Sequence, residues 1–178
     1  MSGSKNAALP LLAATLLIRG KITFQNVPKI GDVLTFLEII SQIGVSYRFE
    51  NNTLYLDTTH LDLEHFNADM IKKIRASILL LAPLLHFFGN IAIPFPGGCS
   101  IGKRPIDAHL NGLKSIGYDY DVSEKEIKIT GSLLSGDIEL NAGFGVTSTE
   151  NLIVANVLRP GTTKIQLSAI EPHVMNLI

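Results

Sequence analysis

One cysteine occurs in the 178 residues, and it lies in a loop whose composition is typical of a reactive site. Cys99 lies within the run Phe95–Pro105, which contains three glycines, two prolines and the cations Lys103 and Arg104. Glycine lets a backbone approach a ligand closely, and cations beside a thiol favour the thiolate and attract anions. The alternative is a turn with a buried, inert thiol. The loop therefore indicates a thiol that faces an anionic substrate.

Three further segments place polar residues at the start of an apolar helix. Lys5 and Asn6 precede the first such helix, Arg75 opens the second, and a glycine turn at 143–147 opens the third. The N-terminus of a helix favours anions through its unpaired N–H groups. Ordinary capping by Ser4 or Asn6, and a solvated basic end at Arg75, are the competing interpretations. If the three helix starts meet, we expect a polyanion site suited to a diphosphate.

The chain repeats one order of elements, which predicts how these segments are positioned. Each copy begins with an apolar helix that we expect to be buried on every side, followed by a strand, an amphipathic helix and a hairpin. Gly44 and Gly117 end the two amphipathic helices, as a left-handed cap favours. The predicted apolar helices are 7–18, 74–87 and 147–158; the strands that follow them are 21–24, 91–93 and 164–167; the amphipathic helices are 32–43 and 105–116; the hairpins are 45–56 and 118–129.

The repeat predicts a single α/β domain over 1–178 rather than a doubly wound sheet. It has pseudo-threefold repeats at about 1–57, 70–130 and 137–178, the third of them incomplete, with the apolar helices inside. From Gly20 to Asp32 the first copy uses 32 − 20 = 12 residues, whereas from Gly89 to Asp107 the second uses 107 − 89 = 18. The surplus is the cysteine loop. Because the first copy is expected to fold without such a loop, the extra residues of the second copy indicate a chemical function rather than a role in packing.

Composition excludes several classes of function. The net charge is −1 without a basic block, so we expect no nucleic-acid partner. One cysteine cannot form an intrachain disulfide and suits a reducing compartment. The most apolar segment, 78–88, is too short to span a bilayer and contains Pro83 and His86. These features predict a cytoplasmic protein without a membrane partner, and nothing in the sequence indicates a metal or another cofactor.

Three motifs taken in chain order resemble the enolpyruvyl transferase family, and within it the UDP-N-acetylglucosamine 1-carboxyvinyltransferases. They are Ser2–Pro10, Arg75–Ser77 and Pro96–Asp107, and the resemblance extends over essentially the whole chain. It implies two similar domains, each of three βαβαββ units, with the active site between them. It also implies transfer of an enolpyruvyl group from phosphoenolpyruvate to the sugar 3-hydroxyl of UDP-N-acetylglucosamine, a step of peptidoglycan synthesis in cell-wall formation.

The same resemblance implies a role for individual residues. Cys99 matches the thiol that protonates the enolpyruvyl methylene carbon and forms an adduct with phosphoenolpyruvate. The residues implied to bind phosphoenolpyruvate are Lys5, Asn6 and Arg104. Those implied to bind UDP-N-acetylglucosamine are Arg75, Arg104, Pro105, Ile106, Asp107, Ala108, Gly143 and Phe144. At 141–145 the chain reads Asn-Ala-Gly-Phe-Gly, where the family has Lys-x-Ser-Val-Gly.

The family's second domain supplies the base that takes the proton of the sugar hydroxyl. We therefore expect this chain to carry the cysteine-loop domain, to need a second domain or partner chain, and to show no turnover alone. The alternative is a non-catalytic binding module of the same fold, which the changed turn at 141–145 favours. The incomplete third repeat predicts an apolar edge at the helix 147–158, and hence possible self-association.

We predict that Cys99 reacts with an epoxide or a maleimide faster than an ordinary thiol, because two cations follow it and the surrounding glycines leave it open. Mass spectrometry of the folded chain, with a model thiol in the same solution as the control, measures the rate. Labelling at the model rate, or only after denaturation, would indicate the inert alternative.

Overall fold

The computed structural model describes residues 3–64, 66–97, 105–143 and 145–178. Helices are followed in turn by a single strand or by a hairpin through the first two thirds of the chain, with two 3₁₀ segments, η1 and η2, before the third helix. In chain order the elements are α1 Lys5–Thr15, β1 Lys21–Phe24, α2 Gly31–Ser41, β2 Ser46–Glu50, β3 Thr53–Asp57, η1 Ala68–Lys73, η2 Arg75–Leu80, α3 Leu81–Phe88, β4 Ile91–Pro94, α4 Asp107–Ser115, β5 Tyr118–Val122, β6 Glu126–Gly131, β7 Ile138–Asn141, α5 Val146–Asn156, β8 Thr163–Gln166 and α6 Pro172–Met175.

Two three-stranded sheets repeat one topology. Their orders are β1-β3-β2 and β4-β6-β5, and every pairing in them is antiparallel. In both, the hairpin contributes its second strand to the centre, and the strand that follows the apolar helix pairs beside it. The repeat of helix, strand, helix and hairpin predicted from the sequence is confirmed for these two stretches.

The third stretch differs because it begins with a strand that the sequence analysis did not predict. β7 pairs with β8 in parallel, with Ile138 opposite Thr163, and α5 forms the crossover between them. Parallel neighbours require such a crossover. In the described residues no strand precedes α1, and none lies between β3 and η1. Within the described residues, the first two stretches therefore show helix, strand, helix and hairpin, and the third shows strand, helix, strand and helix.

The core is one hydrophobic cluster to which all three stretches contribute. α5 contacts α1, η2, α3, α4 and α6, so it lies at the centre of the helical layer. α2 covers the outside of this layer with a face of Val33, Phe36, Leu37 and Ile40, all fully buried. Among the described residues, no helix has the length and hydropathy needed to cross a bilayer.

The second predicted apolar helix, 74–87, is divided, and this corrects the sequence prediction. Its first part is the 3₁₀ segment η2, and the α-helix begins only at Leu81. The amide of Asn151 lies at the division: its Nδ2 donates to the carbonyl of Ile78 at 2.8 Å, and its Oδ1 accepts from the N–H of Ala82 at 3.4 Å. Those two backbone groups would bond each other in a continuous α-helix. A side chain inserted between them breaks the helix at that turn.

α5 is also less apolar than predicted. Its buried residues include Ser148, Thr149, Glu150, Asn151 and Asn156. The hydroxyls of Ser148 and Thr149 donate to Gly145 O. The helix is buried on every side over 148–156, as expected. The expectation that it is apolar is wrong, because polar side chains occupy much of its buried surface and most of them have hydrogen-bond partners.

Two glycines end their helices in the left-handed conformation, as predicted. Gly44 has φ +95° and Gly117 has φ +110°. A Cβ at Gly117 would also collide with the carbonyl oxygen of Ser132.

We predict that Gly117→Ala lowers the free energy of unfolding by roughly 1–3 kcal/mol, because alanine meets both a strained φ and a backbone oxygen. Gly31→Ala is the matched control: nothing lies within 4 Å of the added Cβ, and Gly31 opens α2 without a positive φ. Urea unfolding followed by circular dichroism measures both variants. Equal stabilities for the two variants would contradict the prediction.

Candidate active-site cleft

A cleft of about 650 Å³ opens where helix starts from the three stretches meet. Lys5 and Asn6 come from the first turn of α1, Arg75 from the first residue of η2, and Val146 and Thr147 from the first turn of α5. The structure thus brings together the three segments that the sequence analysis selected. The remaining lining residues are Leu9, Pro10, Asp32, Lys73, Ile74, Ala76, Leu79, Glu150, Glu171 and His173.

Lys5 lies at the N-terminus of α1, where its ammonium meets a carboxylate. Its Nζ is 2.7 Å from Asp32 Oδ2 of α2, and both side chains are close to half exposed. Ser4 occupies the N-cap position, but its side chain makes no capping hydrogen bond. Capping by Ser4 is therefore not supported, and Asn6, the other capping candidate, lies inside the helix rather than at its N-cap position. An exposed ion pair of this kind contributes little stability, so an anionic ligand can replace Asp32 at small cost.

Two more cations lie where η1 passes into η2. Arg75 is half-buried, and its Nη2 donates to the carbonyl of Pro105 at 3.2 Å. Lys73 Nζ lies 3.7 Å from Glu38 Oε2, with both side chains about half exposed. The Arg75 guanidinium is therefore held by the chain just after the cysteine loop rather than fully solvated, and it lines the cleft.

A buried histidine fixes the hydroxyl of Thr147. His109 Nδ1 lies 2.9 Å from Asn151 Nδ2, and His109 Nε2 lies 3.2 Å from Thr147 Oγ1. An amide nitrogen can only donate, so Nδ1 accepts and the ring proton is assigned to Nε2, which donates to Thr147. Thr147 then accepts from the histidine and keeps its own O–H for a group in the cleft.

The same histidine is held neutral. Burial lowers the pKa of His109 from 6.5 to about 4, and the nearby positive charge of Arg75 adds to the shift. A neutral ring is the form that the hydrogen bond from Asn151 requires, because a protonated Nδ1 could not accept. The donor arrangement at Thr147 therefore persists at neutral pH.

Glu150 is the second unusual group in the cleft. It is 2% exposed, and its Oε1 has no hydrogen-bond partner. Burial, and then the negative charge of Glu171, raise the pKa of Glu150 from 4.5 to about 7. The nearest ring nitrogen, His173 Nε2, is 3.9 Å from Oε1, which is too far for a hydrogen bond.

None of the other residues selected from the sequence is among the described residues that line the cleft. Cys99, Arg104 and Phe144 lie outside the described residues. Asp107 opens α4 and is exposed, and the side chain of Ile106 is buried in the core, so only its backbone can face a ligand. A Cβ at Gly143 would be 3.4 Å from Cβ of Ala108, which places the turn before α5 beside the start of α4.

Sequence reasoning missed the acidic and histidine side of the cleft. Asp32, Glu150, Glu171 and His173 line it together with Thr147. The available signal was the run Thr-Ser-Thr-Glu-Asn at 147–151, five polar residues at the start of a helix otherwise interpreted as apolar. Among the described residues, no group of three or more His, Cys, Asp or Glu is placed to hold a metal ion.

Comparison with known proteins decides the family. A family model described as EPSP synthase (3-phosphoshikimate 1-carboxyvinyltransferase) matches residues 1–178. The chain belongs to the EPSP synthase family of enolpyruvyl transferases. The family resemblance noted from the motifs is thereby confirmed.

Two curated relatives of the family are UDP-N-acetylglucosamine 1-carboxyvinyltransferases. That of Idiomarina loihiensis is 45% identical over 182 residues, covering 99% of this chain and 43% of the relative. That of Campylobacter lari is 40% identical over 177 residues, covering 99% of this chain and 42% of the relative. The chain thus spans less than half the length of these relatives.

Two solved structures of the family share the fold. The enolpyruvyl transferase NikO from Streptomyces tendae superposes with a TM-score of 0.81 at 19% identity, covering 99% of this chain and 42% of that one. EPSP synthase from Acinetobacter baumannii superposes with a TM-score of 0.69 at 16% identity, covering 98% and 41%. At these identities the likeness concerns the mixed α/β fold alone.

We predict that His109 makes folding stability depend on acidic pH. Its folded-state pKa of about 4 lies below 6.5, so between these values the unfolded chain binds more protons and raising the pH favours the folded state. Relative to His109→Gln, the wild-type chain should gain on the order of 3 kcal/mol between pH 4 and 6.5 and nothing further above it.

Urea unfolding of both chains at several pH values measures this difference, and subtracting the variant removes the opposite contribution of Glu150. The NMR titration of the His109 ring is an independent check, with protonation expected only near pH 4. A pH-independent difference between the chains, or a ring that titrates at 6.5, would contradict the prediction.

Proposed function

We propose that this chain binds phosphoenolpyruvate and UDP-N-acetylglucosamine and carries the cysteine-loop part of an enolpyruvyl transfer between them. One observation carries the proposal: in a chain 45% identical to such an enzyme, three segments remote in sequence place Lys5, Arg75 and the start of α5 on one cleft. The substrates carry a carboxylate, a phosphate and a diphosphate, so their site must offset several negative charges.

The cleft supplies the required electrostatics in two ways. Lys5, Lys73 and Arg75 contribute positive side chains. The first turns of α1 and α5 add backbone N–H groups that have no partner within the helix and favour anions. Such fixed donors stabilise charge that develops during phosphate loss without having to reorganise.

The roles of individual residues follow from the family motif. Lys5, Asn6 and Arg104 are proposed to bind phosphoenolpyruvate, with Cys99 as the proton donor to its methylene carbon. Arg75, Arg104, the segment 105–108, Gly143 and Phe144 are proposed to bind the nucleotide sugar. The base for the sugar hydroxyl is assigned to a second domain or a partner chain, so the proposal expects no turnover by this chain alone.

A binding module without catalysis is the second candidate. The turn before α5 favours it, because Asn141 and Gly143 stand where the family has a lysine and a serine, and Asn141 Oδ1 accepts from the N–H of Gly143 at 2.8 Å. The amide of Asn141 is thus used within the turn. Reconstitution with the second domain of a relative separates the two candidates, because only a catalytic half gives phosphate release that depends on both substrates.

We predict that Arg75→Gln weakens binding of UDP-N-acetylglucosamine about 10- to 100-fold, because a charge-assisted hydrogen bond to an anionic ligand contributes ~1.5–3 kcal/mol. Isothermal titration calorimetry with the wild-type chain and the variant measures the change.

Arg48→Gln is the matched control, since Arg48 lies on β2, pairs with Glu50 at 2.6 Å and does not line the cleft. It should bind as the wild-type chain does. Equal affinity of Arg75→Gln and the wild-type chain, or no binding by the wild-type chain, would rule out this cleft as the nucleotide-sugar site.

A further inference from the structure

Glu150 is a buried carboxyl that the fold leaves without a hydrogen bond at Oε1. Its Oε1 is enclosed without a hydrogen-bond partner, although its neighbours on α5 have them: Thr147 bonds His109, and Asn151 bonds both His109 and the Ile78 carbonyl. Leaving a buried polar atom unpaired costs ~1–3 kcal/mol, and more for a charged group. Folding alone gives no reason for a carboxyl at this position.

The position of Glu150 gives it access to a ligand. Thr147 and Glu150 are three residues apart on α5 and therefore share one face of the helix, and both line the cleft. His173, on the short helix α6, covers the carboxyl from the other side at 3.9 Å and is itself partly exposed. For a group bound in the cleft to reach the carboxyl, this imidazole has to turn aside.

The charges around the cleft define what kind of group fits there. The cations Lys5, Lys73 and Arg75 come from α1 and from η1 and η2, whereas Glu150 and Glu171 come from α5 and the residue before α6. Asp32 pairs with Lys5. An anionic group next to Glu150 would meet two carboxyls, while a hydroxyl or an amide N–H would find an acceptor with nothing else bonded to it.

We propose that Glu150 is a ligand-binding residue that accepts a hydrogen bond from an uncharged donor, a hydroxyl or amide N–H of the sugar part of the ligand. This assignment rests on the proposed function, which places a nucleotide sugar in the cleft. The cationic wall holds the anionic part, and Glu150 orients the uncharged part. Because burial raises its pKa to about 7, part of the Glu150 population is neutral at physiological pH, which reduces its repulsion of the anionic groups.

Removing the carboxyl of Glu150 should therefore stabilise the fold and, at the same time, weaken the binding of the sugar. Glu150→Leu deletes the unpaired polar group, and Glu150→Gln keeps an acceptor of the same shape without the charge. Sites that bind ligands often sacrifice stability in this way. Glu139→Leu is the control, since Glu139 is exposed on β7 and pairs with Lys164 at 3.4 Å.

Calorimetric titration with UDP-N-acetylglucosamine and with UDP, together with Tm, tests the assignment in the full chain. We expect Glu150→Leu to raise Tm, to weaken binding of the nucleotide sugar at least 10-fold and to change binding of UDP less than twofold. Glu150→Gln should bind the nucleotide sugar within about threefold of wild type, and Glu139→Leu should not differ from it.

Unchanged binding of the nucleotide sugar by Glu150→Leu, or equal weakening of both ligands, overturns the assignment and leaves the proposed function in place. A lower Tm in both Glu150 variants shows a structural role and also overturns it. Failure of the wild-type chain to bind either ligand removes the proposed function, and this assignment with it.

Discussion

The amide of Asn151 joins α5 to three other elements. It inserts between the carbonyl of Ile78 and the N–H of Ala82, and with its second N–H it bonds His109. Those groups belong to η2, α3 and α4, so one buried side chain of α5 fixes three elements around it. Buried polar networks have this effect only when each member is satisfied, and the hydrogen bond from His109 to Thr147 extends this one to the cleft.

The network explains why the helix starts meet where they do. If the segment 75–88 formed one continuous α-helix, Ile78 and Ala82 would bond each other, and the buried amide of Asn151 would lose both of its backbone partners and keep only His109. Each buried polar atom left unpaired costs ~1–3 kcal/mol. The 3₁₀ turn of η2 removes that conflict and sets the direction in which Arg75 enters the cleft. Close packing of α4 against α5 requires Gly112 on α4, because a Cβ there would overlap the side chain of Leu152 on α5. The geometry of the cleft thus depends on contacts that Asn151 and Gly112 make in the buried core.

Features of the fold that are set by residues close together in the sequence could be predicted from it, whereas features set by contacts between distant residues could not. Apolar runs and terminal glycines predicted both hairpins and the order of elements, because Gly44 and Gly117 act within their own turns. The strand Ile138–Asn141 was missed, since only pairing with β8 across the intervening helix defines it. The division at Leu81 was missed for the same reason: it is caused by a residue seventy positions later. Lys5 and Arg75 could be predicted because cations at helix starts are visible in the sequence, and Asn6 because its amide lies beside Lys5. The burial of Glu150 is not visible in the sequence.

The cleft has a cationic wall, formed by α1, η1 and η2, and a second wall formed by α5. The side chains of the two walls are held with different rigidity. Lys5 and Lys73 hold exposed carboxylates, and exposed pairs of this kind are worth about 0–1 kcal/mol, so both cations can exchange partners when an anion arrives. Thr147 and Glu150, by contrast, stand on a helix whose buried face is fixed by hydrogen bonds to other elements. A mobile cation tolerates anions of many shapes, while a fixed donor and a fixed acceptor one helical turn apart accept few. On the proposed function, affinity for negative charge therefore comes from the wall formed by α1, η1 and η2, and discrimination between ligands of equal charge comes from α5.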